Sequence, residues 1–271
     1  MNLENCRPVI LAGAGKMGMA MASGWISAGL PSDRLTLIDP KPSPNASDFA
    51  KKHNLALRAE LPDASGAVLV LAVKPQIMGG FLPSAAPKCA PDTLVLSIAA
   101  GISLATLAGG LSTHRIVRTM PNTPAQIGKG ISGAVAAAGV DELDRETATA
   151  LLSAAGKVVW LREEGDIDAL TAVSGSGPAY VFHLVEAMAA AGIAEGLDAE
   201  TSSLLARQTV IGAASLLEMD PAPAAVLREN VTSPNGTTAA ALDVLMGEGG
   251  LTDLMQRAVR AARKRSEELG S

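Results

Sequence analysis

Two stretches of the 271-residue chain combine residue types that could hold a small anionic molecule, and GAGKMG at residues 13–18 is the first. It follows the short apolar run 9–12 at once and leads into an apolar pattern of helical period. In a strand–turn–helix context, the first glycine allows a tight turn and the second lets a pyrophosphate approach the backbone. The third lets the helix pack closely on the strand. The pattern therefore predicts a dinucleotide-binding turn, with helix N–H groups facing the phosphates.

The second stretch, TSPNGTT at residues 232–238, interrupts an alanine- and leucine-rich tail. Pro234-Asn235-Gly236 is a turn signal, and Thr237-Thr238 would begin a helix. The free N–H groups at such a helix start can bind a carboxylate without any arginine. The alternative is a turn with a threonine N-cap, which accounts for one threonine but not for the whole segment.

An acid follows the glycine pattern at the expected distance. The second apolar run, RLTLID, ends in Asp39, about twenty residues on, where a dinucleotide fold places a carboxylate on the ribose hydroxyls. Asp39 favours NAD, because a carboxylate repels a 2′-phosphate, but Lys41 nearby offsets that preference and leaves it open. A generic glycine turn, with Asp39 as a cap before Pro40, is the competing interpretation.

Repeated strand–helix units must position these residues. Apolar runs at 67–73, 93–99 and 115–121, with weaker ones at 133–139 and 157–161, alternate with helical stretches. Continuous apolar strands of this kind predict a doubly wound parallel sheet of Rossmann type. Ligands bind such sheets at the carboxyl ends of the strands, here residues 72–75, 99–101 and 120–124. Lys74 and Asn122 are polar groups at these ends that could equally be plain loop residues.

From Asp166 onward strand signals vanish, and the sequence predicts helices. We therefore predict an α/β protein with a Rossmann-type NAD(P)-binding domain over residues 1–163 and an all-α domain over 164–271. A helical domain with so few large side chains has a thin core on its own. This favours a homo-oligomer over a monomeric helical core.

Composition excludes several classes of function. A net charge of −5 and 2% aromatic residues disfavour nucleic-acid binding. Two cysteines and three histidines are too few for a zinc or disulfide framework, so we expect no metal and a reducing compartment. The N-terminal residues lack the pattern of a signal peptide, and the apolar stretch 181–194 contains His183 and Glu186. We expect a cytoplasmic protein without a membrane span.

The choice of reaction is narrowed by what the second half lacks. β-Hydroxyacid dehydrogenases use a lysine on a helix after the linker, but this chain has no lysine between Lys157 and Lys264. Reduction of a protonated C=N bond needs little proton transfer from the protein, because the iminium carbon is already electrophilic. Catalysis then consists largely of positioning the substrate against the nicotinamide.

Six segments together resemble the pyrroline-5-carboxylate reductase family, in that family's order along essentially the whole chain: GAGKMG (13–18), LAVKP (71–75), SIAAGIS (97–103), MPNTP (120–124), SGSGPAY (174–180) and RENVTSPNGTTAAAL (228–242). The glycine pattern is unspecific, whereas SGSGPAY and TSPNGTT in combination are highly specific. The resemblance implies NADPH- or NADH-dependent reduction of 1-pyrroline-5-carboxylate to L-proline. It also implies a helical dimerisation domain, with active sites at the interface of a homodimer or a larger assembly of dimers.

The resemblance also implies roles for individual residues. Thr238 is implied to be catalytic, with its hydroxyl against the ring nitrogen, while the backbone N–H groups of Thr237 and Thr238 hold the carboxylate. Glu164, Ser233 and Gly236 are implied to be further substrate-side residues, Ser233 by ordering the loop. The cofactor-binding residues that the resemblance implies are Gly13, Ala14, Gly15, Lys16, Met17, Gly18, Ala72, Val73, Lys74, Pro75, Ala99, Ala100 and Asn230. Asp39 is a further cofactor-binding residue, predicted from the dinucleotide pattern and not from the resemblance.

Two residues depart from the family pattern. Asn235 stands where the family usually has glycine, but asparagine tolerates a positive φ, so the turn should survive. Asp39 replaces a small hydroxyl residue of some members and puts a preference for NADPH in doubt. Two other functions stay open: reduction of a related cyclic imine such as piperideine-2-carboxylate, and a non-catalytic NAD(P)-sensing module. Assembly size, feedback by proline and acceptance of larger rings are not determined by the sequence.

Overall fold

The computed structural model describes residues 2–111 and 113–270, which form two compact units. The first unit comprises residues 2–111, 113–175 and 262–270, and the second comprises residues 176–261. The first is built around a β-sheet and the second is helical. Each is described by itself below.

The sheet of the first unit contains eight strands in the described residues. They are β1 (Val9–Ala12), β2 (Leu35–Ile38), β3 (Ala56–Arg58), β4 (Val68–Leu71), β5 (Leu94–Ser97), β6 (Ile116–Met120), β7 (Gly130–Ala136) and β8 (Gly156–Trp160). Their spatial order is β3-β2-β1-β4-β5-β6-β7-β8, and all neighbouring pairs are parallel except β6 and β7. The first six strands have the order of a dinucleotide-binding fold, in which the order reverses between β1 and β4. The predicted Rossmann-type fold is confirmed.

Helices cover both faces of this sheet. They are α1 (Lys16–Ser27), α2 (Pro44–Lys52), α3 (Pro75–Ala85), α4 (Leu104–Leu111), α5 (Glu142–Ser153) and the short α6 (Asp166–Leu170). Every residue of β1, β4 and β5 is buried, because side chains on both faces of these strands pack under helices. Two hydrophobic clusters, one on each face, fill the space between helices and sheet. This burial explains why the strands are continuous apolar runs rather than alternating ones.

Three features of the sheet were not predicted. β3 is a short edge strand whose first and last residues are exposed, so it has no apolar run to mark it. β7 runs antiparallel to β6, although the weaker apolar runs at 133–139 and 157–161 were themselves predicted and contribute to β7 and β8. Residues 164–175 and 262–270 also pack with the sheet, whereas the predicted domain boundary lies at 163/164.

The second unit is helical throughout its described residues, as predicted. Its helices are α7 (Gly177–Ala194), α8 (Ala199–Met219), α9 (Ala224–Asn230), α10 (Thr237–Met246) and the first part of α11 (Leu251–Gly270). α7 and α8 approach closely, since a Cβ at Gly192 would lie 3.0 Å from the Ser202 hydroxyl oxygen. The Asp198 side chain caps α8 by accepting hydrogen bonds from the hydroxyl and amide of Thr201. These two bonds lower the pKa of the Asp198 carboxyl.

Large apolar side chains of the second unit remain exposed in the single chain. Phe182 is 66% exposed, Leu204 65% and Val244 75%.

By length and composition alone, the helical run 166–194 could cross a membrane. Length and composition are the same for a membrane span and for an apolar helix that packs within a protein. The expectation that this run does not span a membrane stays a prediction.

Candidate functional site

The glycine turn between β1 and α1 needs glycine at two positions for close packing. Gly13 has a φ of +104°, and a Cβ there would lie 2.6 Å from the carbonyl oxygen of Ala72 at the end of β4. A Cβ on Gly18 would overlap the carbonyl oxygen of Gly13, so only glycine lets α1 sit this close to the turn. These two glycines therefore set the path of the backbone.

Gly15 differs from its neighbours because it faces open space. Its φ of −76° suits any residue, and a Cβ built on it has no other atom within 4 Å. It is also the N-cap of α1, and it places no side-chain acceptor on the first amides of the helix. The turn thus offers both room and N–H donors to a pyrophosphate, which fits the glycine-loop requirement of a dinucleotide.

Asp39 lies directly beside this turn. Its Oδ2 accepts a hydrogen bond from the Ala14 amide at 3.1 Å, and its Oδ1 accepts one from the Lys41 amide at 2.9 Å. The carboxylate therefore fixes the turn while it stays partly exposed at the carboxyl end of β2. That place is where a dinucleotide fold puts an acid on the adenosine ribose.

The carboxyl ends of β4 and β5 lie next to the glycine turn. The Ala72 amide donates to the Ala12 carbonyl at 2.7 Å, and the Ile98 amide donates to the Leu71 carbonyl at 3.0 Å. Lys74 is the exposed N-cap of α3, with Pro75 as the first helical residue. Ala99 and Ala100 follow β5 in the turn that we call the 99–103 turn, which leads into α4.

The far end of α11 also reaches the 99–103 turn. Gly101 has a φ of +73°, and a Cβ there would lie 2.9 Å from the carbonyl oxygen of Leu269. Nearby, the Ser266 hydroxyl donates to Asp168 Oδ1 at 2.6 Å. The last turns of α11 thus belong with the sheet unit and pack against the turn after β5.

Glu164 is held in an ion pair that the sequence analysis did not identify. Its Oε1 lies 2.5 Å from Arg118 Nη1 and accepts a hydrogen bond from the Leu104 amide, the first of α4, at 2.8 Å. The Arg118 side chain is only 8% exposed, although it lies in the apolar strand β6. A charged residue in a buried strand requires a partner, and that signal in RIVRTMP could have directed attention to Arg118.

The Asn122 side chain links two separate backbone segments by hydrogen bonds. Its amide nitrogen donates to the Ser174 carbonyl at 3.1 Å, and its amide oxygen accepts from the Ile131 amide at 2.9 Å. Ser174 lies in a single turn of π-helix, residues 171–175, between α6 and α7. A π-helical turn leaves backbone groups without their usual helical partners. The buried Asn122 side chain satisfies one of them and ties the π-turn to β7.

The turn before α10, in the second unit, has the predicted form. The Gly236 amide donates to the Ser233 carbonyl at 3.1 Å, and Asn235 has a φ of +59°. Proline second and a residue of positive φ third are the requirements of a type II turn. A Cβ on Gly236 would overlap the Ser233 hydroxyl, so this position needs glycine.

α10 begins at Thr237, as the sequence predicts. Its N-cap is Gly236, which makes no side-chain capping bond, so the first amides of the helix stay available to an anion. Thr238 is partly buried, whereas Thr237 and Ser233 are exposed. Asn230, the last residue of α9, is also exposed.

The residues fall into two groups. Glu164 and the residues of the glycine turn and strand ends lie in the first unit, and Asn230, Ser233 and 236–238 lie in the second. Within residues 2–111 and 113–270, no group of three or more His, Cys, Asp or Glu is arranged to hold a metal ion.

Comparison with known proteins gives matches along the whole chain. Residues 164–269 match the family model described as pyrroline-5-carboxylate reductase dimerisation, and residues 8–101 match NADP oxidoreductase, coenzyme F420-dependent. The pyrroline-5-carboxylate reductase of Pseudomonas aeruginosa is 42% identical over 265 residues, or 96% of each chain.

Two solved structures share the fold over nearly the full length. A pyrroline-5-carboxylate reductase from Coxiella burnetii superposes with a TM-score of 0.89 at 33% identity, covering 98% of this chain and 100% of that one. The Plasmodium falciparum pyrroline carboxylate reductase, solved with NADP bound, gives a TM-score of 0.80 at 29% identity, with 99% of each chain covered.

Proposed function

The chain belongs to the pyrroline-5-carboxylate reductase family, and we propose that its glycine turn, its 99–103 turn and the start of α10 are the parts that carry out the reaction. The reaction is the NAD(P)H-dependent reduction of 1-pyrroline-5-carboxylate to L-proline. When bound, the cofactor would supply a hydride to the carbon of the C=N bond, which is C2 of the pyrroline ring and becomes C5 of L-proline. The observation that carries the assignment is a combination of two features. One is a dinucleotide-binding turn, and the other is the uncapped start of α10, whose free amides can bind a carboxylate without an arginine.

On the cofactor side, the chain supplies backbone rather than charge. The amides at the start of α1 bind the pyrophosphate, and Gly15 leaves the room for it to approach. Asp39 holds the turn through the Ala14 amide and accepts from the ribose hydroxyls. Residues 72–75, together with Ala99 and Ala100, line the nicotinamide half, and Asn230 contacts the cofactor from the second unit.

On the substrate side, the amides of Thr237 and Thr238 bind the ring carboxylate at the positive end of α10. The Thr238 hydroxyl lies against the ring nitrogen and orients it, and Ser233 with Gly236 orders the turn that precedes the helix. Glu164 is a substrate-side acid. The imine nitrogen is either protonated before hydride transfer or takes up a proton during the reaction. The protein's main contribution is therefore to orient the substrate.

Oligomerisation explains the exposed apolar side chains of the second unit. Exposed apolar surface of this extent marks an interaction surface, and residues 164–269 match a dimerisation model. The proposal includes an active site at the interface of a homodimer or a larger assembly of dimers, and a cytoplasmic location. Nucleic acid and membrane have no part in it.

A mixed-dimer experiment tests the shared site. Gly15→Val and Thr238→Ala subunits, each nearly inactive alone, are co-purified through two different tags. If Gly15 and Thr238 of one site come from different subunits, each mixed dimer has one intact site and one site with both defects, so the doubly purified dimers retain about half of wild-type activity. If both come from one subunit, every site contains a defect and the mixed dimers stay inactive.

The two other functions predict different outcomes. A reductase of larger cyclic imines would show a higher kcat/KM for piperideine-2-carboxylate than for 1-pyrroline-5-carboxylate. A sensing module would bind NAD(P)H without turning over any imine. The intact TSPNGTT turn and full-length similarity to reductases favour neither, so we expect the five-membered ring to be preferred and L-proline to be the product by mass spectrometry.

A further inference from the structure

Arg118 occupies an unusual position for a cation. It lies in the middle of β6, level with Ser97, the last residue of β5, and its side chain is 8% exposed. Among the described residues, its one ion-pair partner is Glu164, at 2.5 Å. A buried guanidinium without a partner is strongly unfavourable, so Arg118 and Glu164 must be treated as a unit.

Glu164 connects this arginine to the start of α4. Its Oε1 accepts from Arg118 and from the Leu104 amide, while the Ser103 hydroxyl accepts from the Thr106 amide in the same first helical turn. The positive end of α4 and the guanidinium therefore both attract one carboxylate. Glu164 is 32% exposed, so the contact also borders solvent.

The residues fixed in this way are those of the 99–103 turn. At its upstream end, the Ile98 amide is bound to the Leu71 carbonyl at 3.0 Å. At its downstream end, the anchor is the bond from the Leu104 amide to Glu164. Ala99 and Ala100 lie between these anchors, at the carboxyl end of β5. β5 is next to β4, and β4 is next to β1, the strand that leads into the glycine turn.

We propose that Arg118 is a positioning residue of the reductase: it holds the Glu164 carboxylate at the start of α4 and thereby fixes the 99–103 turn against which the cofactor binds. This inference rests on the proposed function for the place of the cofactor. Arg118 itself touches neither cofactor nor substrate in this scheme, and its effect passes through Glu164.

The test measures cofactor affinity and turnover separately in Arg118→Gln, Glu164→Gln and the double variant. Affinity is measured as the Kd for NADH and NADPH from nicotinamide fluorescence, and turnover as kcat with 1-pyrroline-5-carboxylate. We expect Arg118→Gln to raise the cofactor Kd about tenfold and to lower kcat by roughly 10- to 100-fold, as small misplacements in an active site do. The double variant should be no worse than Glu164→Gln alone, because the two residues act as one unit.

Two further variants separate positioning from stability. Arg118→Lys should recover part of the lost affinity, because a single nitrogen makes the contact, and it carries the test should Arg118→Gln not fold. Arg115→Gln is the matched control: Arg115 precedes the same strand and pairs at 2.8 Å with the buried Asp144, at the opposite end of the sheet. We expect this control to lower Tm while Kd and kcat stay at wild-type values.

A wild-type Kd and kcat in Arg118→Gln would overturn the proposal. So would a double variant whose fold-changes in Kd and kcat are the products of those of the two single variants. A loss in Arg115→Gln equal to that in Arg118→Gln would assign both to general destabilisation and also overturn it. An inactive wild-type protein would instead refute the proposed function, and the cofactor Kd series would still decide the role of Arg118.

Discussion

Replacing Gly15 by alanine separates cofactor binding from folding. The added methyl group meets no atom within 4 Å, and the φ of −76° is one that alanine adopts readily. The lower entropy of the unfolded chain stabilises the variant by about 0.4–1 kcal/mol. Alanine is a poorer N-cap than glycine, at a cost of about the same size. We therefore expect a net change within about 0.5 kcal/mol, or about 2 °C in Tm.

The same methyl group should weaken cofactor binding substantially. It occupies the space through which a pyrophosphate reaches the amides of α1. Loss of part of those charge-assisted hydrogen bonds corresponds to about 1.5–3 kcal/mol, which is a rise in Kd of roughly 10- to 150-fold. Nicotinamide fluorescence titration gives the Kd, and differential scanning fluorimetry gives Tm on the same samples.

Gly18→Ala is the matched control from the same turn. Its methyl group would overlap the Gly13 carbonyl oxygen, and a backbone atom cannot move aside as a side chain can. Such overpacking costs about 1–3 kcal/mol, so we expect Tm to fall by roughly 3–10 °C. A Gly15→Ala protein with wild-type cofactor affinity, or one destabilised as much as Gly18→Ala, would refute this account of the turn.

Four other changes have defined outcomes. Thr238→Ala should lower kcat by at least about tenfold while the cofactor Kd stays within about twofold of wild type, because its hydroxyl orients only the substrate. Asp39→Ser should raise the ratio of kcat/KM for NADPH to that for NADH by about tenfold, by removing a carboxylate near the 2′-phosphate. Gly101→Ala should lower stability by about 1–2 kcal/mol in chemical denaturation, because its φ is +73° and a Cβ would crowd the Leu269 carbonyl. Asp198→Asn should make Tm fall less steeply between about pH 5 and pH 3 than it does in the wild type. The pKa of Asp198 is lower in the folded protein than in the unfolded chain, so its stabilisation is present above the unfolded pKa and disappears as pH falls through the folded pKa.

Local signals were sufficient for the elements that bear the glycine turn and the helix start. Strand β1, the positive φ of Gly13 and the start of α10 at Thr237 each follow from residue types within a few positions. Asn235 has the positive φ that its type permits. These features are local because turns and helix caps are governed by backbone conformation and nearby hydrogen bonds.

What could not be predicted depends on contacts distant in sequence. Hydrophobic periodicity does not show whether neighbouring strands run parallel or antiparallel, so the antiparallel pairing of β6 and β7 could not be predicted from it. The ion pair of Arg118 with Glu164 joins residues 46 positions apart, and the approach of Leu269 to Gly101 joins residues still farther apart. The sequence contains the charge in β6 but not the identity of its partner.

The most direct test of the central claim is the loss of NAD(P)H absorbance on addition of 1-pyrroline-5-carboxylate to the purified chain. We expect saturable turnover with NADH, NADPH or both, stoichiometric formation of L-proline, and a kcat/KM that falls when the ring is enlarged. Tight cofactor binding without turnover of 1-pyrroline-5-carboxylate by either cofactor would contradict the claim that this chain is a reductase.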